Sequence, residues 1–204
     1  MNVFAIICVV LWLYALSVFK RGKLDFFRYM VGSVGLFVFM MIFLEPLLVQ
    51  PLVSLVTSAT GIVGEVTGLF ESYHDYSILF VTCEKTGEAL SLYIDYECSG
   101  VIEMMAFVAL IAFFQVYDIW QRFVVAVLGC IAIFFSNVIR ITTICVIIMI
   151  WGNDSYYIAH TIVGRIVFYI LAVLLYYYVF THAHIIRQKI GGFNYAGDHS
   201  SSDQ

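Results

Sequence analysis

Residues 121–151 read QRFVVAVLGCIAIFFSNVIRITTICVIIMIW, an apolar run whose polar interruptions beyond Arg122 are Ser136, Asn137, Arg140, Thr142 and Thr143. As a helix rising 1.5 Å per residue it would reach roughly 46 Å, too long for a straight crossing of a ~30 Å hydrocarbon core and too short for two. The run therefore predicts a tilted, kinked or partly re-entrant transmembrane helix, with one crossing more or less left open. Counted upward from Arg122, the group Ser136, Asn137 and Arg140 falls about 20 to 27 Å from the near boundary, in the far part of the bilayer.

The rest of the chain agrees with a membrane reading. Of 204 residues, 63% are hydrophobic and 12% charged, with mean hydropathy +0.98; soluble domains carry about twice that charged fraction. A net charge of −4 without a basic cluster argues against a nucleic-acid partner. Further apolar runs cover Met1–Phe19, Met30 to about Leu48, Gly100–Tyr117 and His160–Phe180. The first has no basic residue before it, whereas Lys20, Arg21, Lys23 and Arg28 follow it, so it reads as a retained anchor with its N-terminus outside. Threading the runs from there puts Lys20, Arg21, Lys23, Arg28, Arg122, Arg187 and Lys189 on one face and leaves Lys85 alone outside, which selects this orientation by the positive-inside rule. The expectation is an all-α polytopic membrane protein forming a single domain over 1–204, with five transmembrane helices, or six if the 121–151 run divides. A cytoplasmic tail occupies about 182–204.

The extramembrane insert, about 51–99, lies outside in this threading. Ile62, Val63, Val66, Leu69 and Phe70 recur at helical spacing, which suits a helix lying on the membrane surface. Leu90, Leu92, Ile94 and Tyr96 alternate with Ala89, Ser91, Tyr93 and Asp95; with Ser77–Cys83 as partner and Glu84–Gly87 as turn, this predicts a short β-hairpin. The hairpin leads directly into Glu97, Cys98, Ser99, Gly100 and the third span.

Ionisable groups inside membrane segments are costly enough to be functional candidates. Arg140 cannot shed its charge and must face water, a carboxylate or a substrate's polar atoms, with Asn137 and Thr143 sharing its helix face. Alternatively it snorkels outward or pairs with Glu103 or Glu45 as helix glue. His160 opens the last span, and Gly164, four residues on, lets another helix or a substrate backbone approach the imidazole; an interfacial histidine bonded to a carbonyl is the plain alternative. Arg165 is a second cation on that helix, with a snorkelling or structural role equally open. Cys98 begins the third span at nearly the depth of Arg140 and His160, where neighbouring cations would favour the reactive thiolate. It could equally pack as an inert small residue or form a disulfide with Cys83, closing a ~15-residue loop worth around 3 kcal/mol. A thiol, an imidazole and a guanidinium from three spans, delivered to one face at similar depth, are the parts that cysteine acyl transfer requires.

The segments Glu-Cys-Ser-Gly at Glu97–Gly100, Asn-x-x-Arg at Asn137–Arg140 and His-x-x-x-Gly at His160–Gly164 resemble, in order and membrane position, the three signature motifs of the exosortase/archaeosortase family. The resemblance covers most of the chain and is closest to the short branch of Gram-positive bacteria, exosortase G, including Ala159–Arg165 and the tail from Tyr176 to Tyr195. It implies a membrane-embedded cysteine peptidase or transpeptidase of the bacterial cell membrane, with its site facing the extracytoplasmic side. Its partner would be an exported protein ending in a sorting signal of short motif, transmembrane helix and basic cluster. By match of motif Cys98 would be the nucleophile, Arg140 the stabilising cation and His160 the third catalytic residue, supported by Asn137, Ser99, Gly100, Gly164 and Arg165. A lipid or glycan amine or hydroxyl, or water, would resolve the acyl-enzyme. Neither a cofactor nor a metal is expected: His182, His184 and His199 lack partner ligands in sequence, and there is no nucleotide-binding glycine loop. The outer acids Glu65, Glu71, Asp75, Glu84, Glu88, Asp95 and Glu97 read as a solvated loop surface that could also orient a substrate. Two readings from other classes are a small transporter or substrate-binding component using Glu45, Glu103 and Arg140, and a non-catalytic membrane subunit.

Overall fold

In a computed structural model, described here over residues 3–73, 78–83, 87, 89–94 and 98–182, three helices precede a small sheet and the remaining helices follow it. The order is α1 (Val3–Arg21), α2 (Asp25–Phe43), α3 (Glu45–Thr67), β1 (Glu71–Tyr73), β2 (Ile78–Thr82), β3 (Ala89–Tyr93), α4 (Val101–Phe113), α5 (Ile119–Trp151), α6 (Tyr156–Ile158) and α7 (Gly164–Tyr176). A π-helical turn, Ala159–Val163, joins α6 to α7, and a second, Tyr177–His182, extends α7, so that Tyr156–Thr181 is long and apolar enough to cross a membrane. The same holds for α2, α3 and α5, while α4 is a shorter apolar helix. The chain is a multi-pass membrane protein.

Helix α5 settles the question left open by its sequence. It is one continuous helix of 33 residues, about 50 Å long, rather than a broken or re-entrant one, and its start is fixed by a reciprocal capping box between Asp118 and Gln121. The length beyond one membrane crossing is not left bare. Ile141, Ile144, Cys145 and Ile148 on its last turns are buried against Leu79, Val81 and Leu92 of the sheet, Val53 and Val56 of α3, and Phe70. A second core, around Phe107, Ile111, Ile133 and Phe168, ties α4, α5 and α7 together lower down.

The run expected from Met30 to Leu48 ends earlier, because Pro46 has no N–H to give and its ring would collide with the carbonyl of Ile42 in a continuing helix. The chain turns at Leu44 and restarts as α3, where a proline in the first turn costs no hydrogen bond; Leu47 and Leu48 donate to the Leu44 carbonyl at 3.1 and 2.9 Å. Of the surface helix expected around Ile62–Phe70, Ile62, Val63 and Val66 form the last part of a longer element that stops at Thr67, and Leu69 and Phe70 lie beyond it. Helix α3 buries Val53, Val56, Thr57, Thr60, Gly61 and Gly64, a stripe at helical spacing, and leaves Ile62 and Val66 exposed. It begins two residues beyond Phe43, the end of α2 far from Asp25, and stops beside Met149 near the end of α5. Both ends of α3 thus lie toward the end of the bundle opposite Arg122. Gly68, at φ +68°, closes it by donating to the Gly64 carbonyl.

The hairpin is present, with Leu79 paired to Leu92 and Val81 to Leu90. Strand β1, unforeseen, adds to the other edge of β2 and makes a three-stranded antiparallel sheet in the order β1-β2-β3. Leu79, Val81, Leu92 and Ile94 are buried whereas Tyr93 is exposed, the period of two expected of a sheet with one covered face. The expected turn residues 84–86 and the segment 95–97 lie outside the described residues, as does the tail from 183.

At the opposite end, Arg122 donates to the Tyr117 carbonyl at 2.9 Å and the Ala112 carbonyl at 3.0 Å, locking the turn between α4 and α5. Gln115 there donates to Asp25 at 3.2 Å, and the Tyr117 hydroxyl, its pKa raised by burial, donates to the Val179 carbonyl at 2.7 Å.

Candidate active site

The turn that carries Cys98 is built to hold one shape. Gly100 caps α4 at φ +75°, a left-handed conformation that favours glycine, and accepts the Met104 N–H at 3.1 Å. Ser99 is fully buried and its Oγ accepts the Val101 N–H at 3.4 Å. From α5, the buried amide of Asn137 donates to the Cys98 carbonyl. Asn137 therefore grips the backbone of the residue whose side chain faces Arg140, one helical turn farther along.

Three side chains from three elements meet at the sulfur. Cys98 Sγ lies 3.2 Å from His160 Nε2 and 3.8 Å from Arg140 Nη2. The first is a hydrogen-bond distance between sulfur and nitrogen. The second places a permanent positive charge beside the sulfur. His160 sits in the π turn, a rare geometry that recurs at functional sites because the extra residue redirects a side chain. Tyr156, four residues earlier, stacks on the imidazole with ring centroids 5.6 Å apart.

Arg140 is 6% exposed, its guanidinium carbon 5.9 Å from the centre of the Phe168 ring. Among the described residues it has no carboxylate partner: the ion pair found there joins Arg28 to Asp25 at 3.8 Å, so the helix-glue pairing with Glu103 or Glu45 does not form. Its Nε, like the Asn137 Oδ1, is buried without a hydrogen-bond partner among the described residues. Among the described residues its charge faces a ring and a sulfur and no carboxylate, a costly arrangement for a buried cation.

The alternative disulfide is absent. Cys83 and Cys98 are both buried and are not joined to each other, and Cys83 Sγ lies against Gly152 at the end of α5. Gly164 provides the close approach expected of it, and the approaching group is α5: a β-carbon on Gly164 would fall 2.7 Å from Ile144 Cδ1. Arg165 is exposed and takes no part in the cluster. Among the described residues no group of three or more His, Cys, Asp or Glu side chains is arranged to hold a metal. Tyr156 and Phe168 went unnoticed in the sequence; the i, i+4 spacing of Tyr156 and His160 was the available signal for the first.

No curated protein and no solved structure matches the chain. The family model of the transmembrane exosortases (Exosortase_EpsH) matches residues 1–177, a span that takes in Cys98, Asn137, Arg140, His160 and Gly164. With seven-eighths of its length covered by that model, the chain belongs to the transmembrane exosortase family, a family of membrane-embedded transpeptidases.

Proposed function

We propose that this chain cleaves the C-terminal sorting signal of exported proteins at the extracytoplasmic edge of the bilayer, with Cys98 as nucleophile. The observation that carries the reading is the convergence on one sulfur of an imidazole at 3.2 Å and a guanidinium at 3.8 Å. His160 accepts the Cys98 proton and the thiolate forms a C–S bond to the scissile carbonyl. The oxyanion that results is stabilised by Arg140, the cation left without a carboxylate among the described residues. Collapse breaks the C–N bond, His160 returns its proton to the leaving amine, and a thioester remains. An amine or hydroxyl on a lipid or glycan carrier, or water, then attacks the thioester and regenerates the thiol. Asn137, Ser99 and Gly100 hold the nucleophile's turn, and Gly164 seats the histidine helix on α5.

The extracytoplasmic placement rests on Lys20, Arg21, Lys23, Arg28 and Arg122, gathered at the end of the bundle away from Cys98. Burial of Cys98 beside the sheet favours transfer over hydrolysis by limiting water. Membership of the short Gram-positive branch is supported by the Ala159–Arg165 and Tyr176–Tyr195 segments.

The test is processing of a co-expressed exported protein ending in a motif, a transmembrane helix and a basic cluster. Cys98→Ala and Cys98→Ser are expected to abolish processing at unchanged protein level, while Cys83→Ala retains it. Processing that survives Cys98→Ala would remove the proposal.

A further inference from the structure

At the end of the bundle remote from Cys98, a cleft of about 410 Å³ opens between helices, lined by Leu16, Ser17 and Lys20 of α1, Arg28 of α2, Ala112 and Phe113 of α4, and Arg122 of α5. Three cations from three different helices line it, together with one hydroxyl and an apolar floor. Among the described residues Arg28 is ion-paired with a carboxylate, whereas Lys20 and Arg122 have no ion-pair partner. Asp25 is shared between Arg28, at 3.8 Å, and Gln115, at 3.2 Å, and Asp118 is engaged in capping α5. Arg122 is held in place by two carbonyls, so its charge is pre-positioned rather than free to swing into water.

The surroundings decide which anion fits. Leu24, Phe26, Phe27, Ile119, Trp120 and Phe123 ring the same end of the bundle and are exposed, Trp120 stacked on Phe123 and Phe26 edge-on to Phe27. Exposed aromatics beside basic residues at the ends of apolar helices mark the headgroup layer of a membrane. A phosphate free in water has no use for such a collar, whereas a phospholipid would set its phosphate among Lys20, Arg28 and Arg122 and lay its acyl chains along the apolar flank. Basic clefts between transmembrane helices are a known form of anionic-lipid site.

We propose that this cleft is a specific binding site for the phosphate headgroup of an anionic membrane lipid, separate from the Cys98 cluster. The site would tie α1, α2, α4 and α5 together at the end of the bundle opposite the sheet.

The test uses the full chain purified in a neutral detergent, with native mass spectrometry counting retained lipid after addition of phosphatidylglycerol, phosphatidylcholine or inorganic phosphate. Phosphatidylglycerol is expected to be retained at least about tenfold more tightly than phosphatidylcholine, the scale of one charge-assisted phosphate contact. Arg28→Gln and Lys20→Gln are each expected to weaken retention by about tenfold with helicity unchanged, Arg122 being spared because it also locks a turn. Lys23→Gln removes the same charge just outside the cleft and is expected to change retention less than about twofold, since neutral detergent has no diffuse surface potential to lose. Equal retention of the two lipids, an equal effect from Lys23→Gln, or displacement of the lipid by millimolar inorganic phosphate would each overturn the proposal.

Discussion

Adding one methyl group at Gly164 tests whether the seating of the last helix on α5 sets the geometry at Cys98. In Gly164→Ala the new β-carbon would lie 2.7 Å from Ile144 Cδ1, 3.0 Å from Ile144 Cγ1 and 3.2 Å from the carbonyl oxygen of Ala159. Ile144 is 2% exposed and has little room to yield. The Ala159 carbonyl accepts the Gly164 N–H across the π turn, and His160 is the next residue. Overpacking of this kind costs about 1–3 kcal/mol, while alanine recovers about 1 kcal/mol over glycine in a helix. The net loss of stability is therefore only about 0–2 kcal/mol. Catalysis suffers more, because a shift of the π turn by several tenths of an ångström lengthens the 3.2 Å contact between Cys98 and His160, and displacements approaching 1 Å cost about 100-fold. The expected result is a 10- to 100-fold fall in processing, by the scale of that displacement, with a stability loss of no more than about 2 kcal/mol. Ile144→Val in the same chain removes the 2.7 Å contact and is expected to recover about tenfold, the sign of two coupled sites. Normal processing by Gly164→Ala, or a double variant no better than the single, would refute the coupling.

Three further expectations concern the same neighbourhood. Arg140→Met replaces a buried cation that has no carboxylate among the described residues, so stability is expected to hold or rise by about 1–2 kcal/mol while processing falls by about 100-fold or more; a large drop in thermal stability would show that Arg140 is structural. Asn137→Leu leaves the Cys98 carbonyl without its donor, at about 1–3 kcal/mol, partly offset because the amide's own oxygen already lacks a partner among the described residues. Alkylation of Cys98 by iodoacetamide is the readout for the displaced turn, and an unchanged rate would count against the grip. Gly152→Ala forces a side chain onto φ +86°, ψ −177°, a glycine region costing about 1–3 kcal/mol for other residues. Because its β-carbon would make only an ordinary 3.5 Å contact with Cys83 Sγ, Cys83→Ala is not expected to rescue it in a denaturation assay.

Much of this architecture was legible in the sequence because charge and hydropathy act locally. Basic residues beside the apolar runs oriented the helices, and that orientation brought Cys98, Arg140 and His160 to one level. The period of two from Leu90 onward revealed the hairpin. What stayed hidden depended on contacts distant in sequence. Strand β1 carries three residues and no pattern of its own, and is defined by pairing with β2. The long reach of α3 was masked because the apolar residues on both sides of Pro46 read as one run, although the proline itself was the available stop signal. Arg165 was drawn toward the site by its proximity to His160, but a spacing of five residues does not hold two side chains on one face, and it points outward.

Helix α5 carries Asn137 and Arg140 part-way along a single rod whose far turns form the floor beneath the sheet and whose near end holds the basic turn at Arg122. Because the Cys98 backbone is tied to that rod through Asn137, the spacing between sulfur and guanidinium is set by protein rather than by lipid. A thicker or thinner bilayer tilts or sinks the rod as a whole. What it changes is the height of the Cys98 cluster relative to the lipid surface, while the distances inside the cluster stay those of the protein.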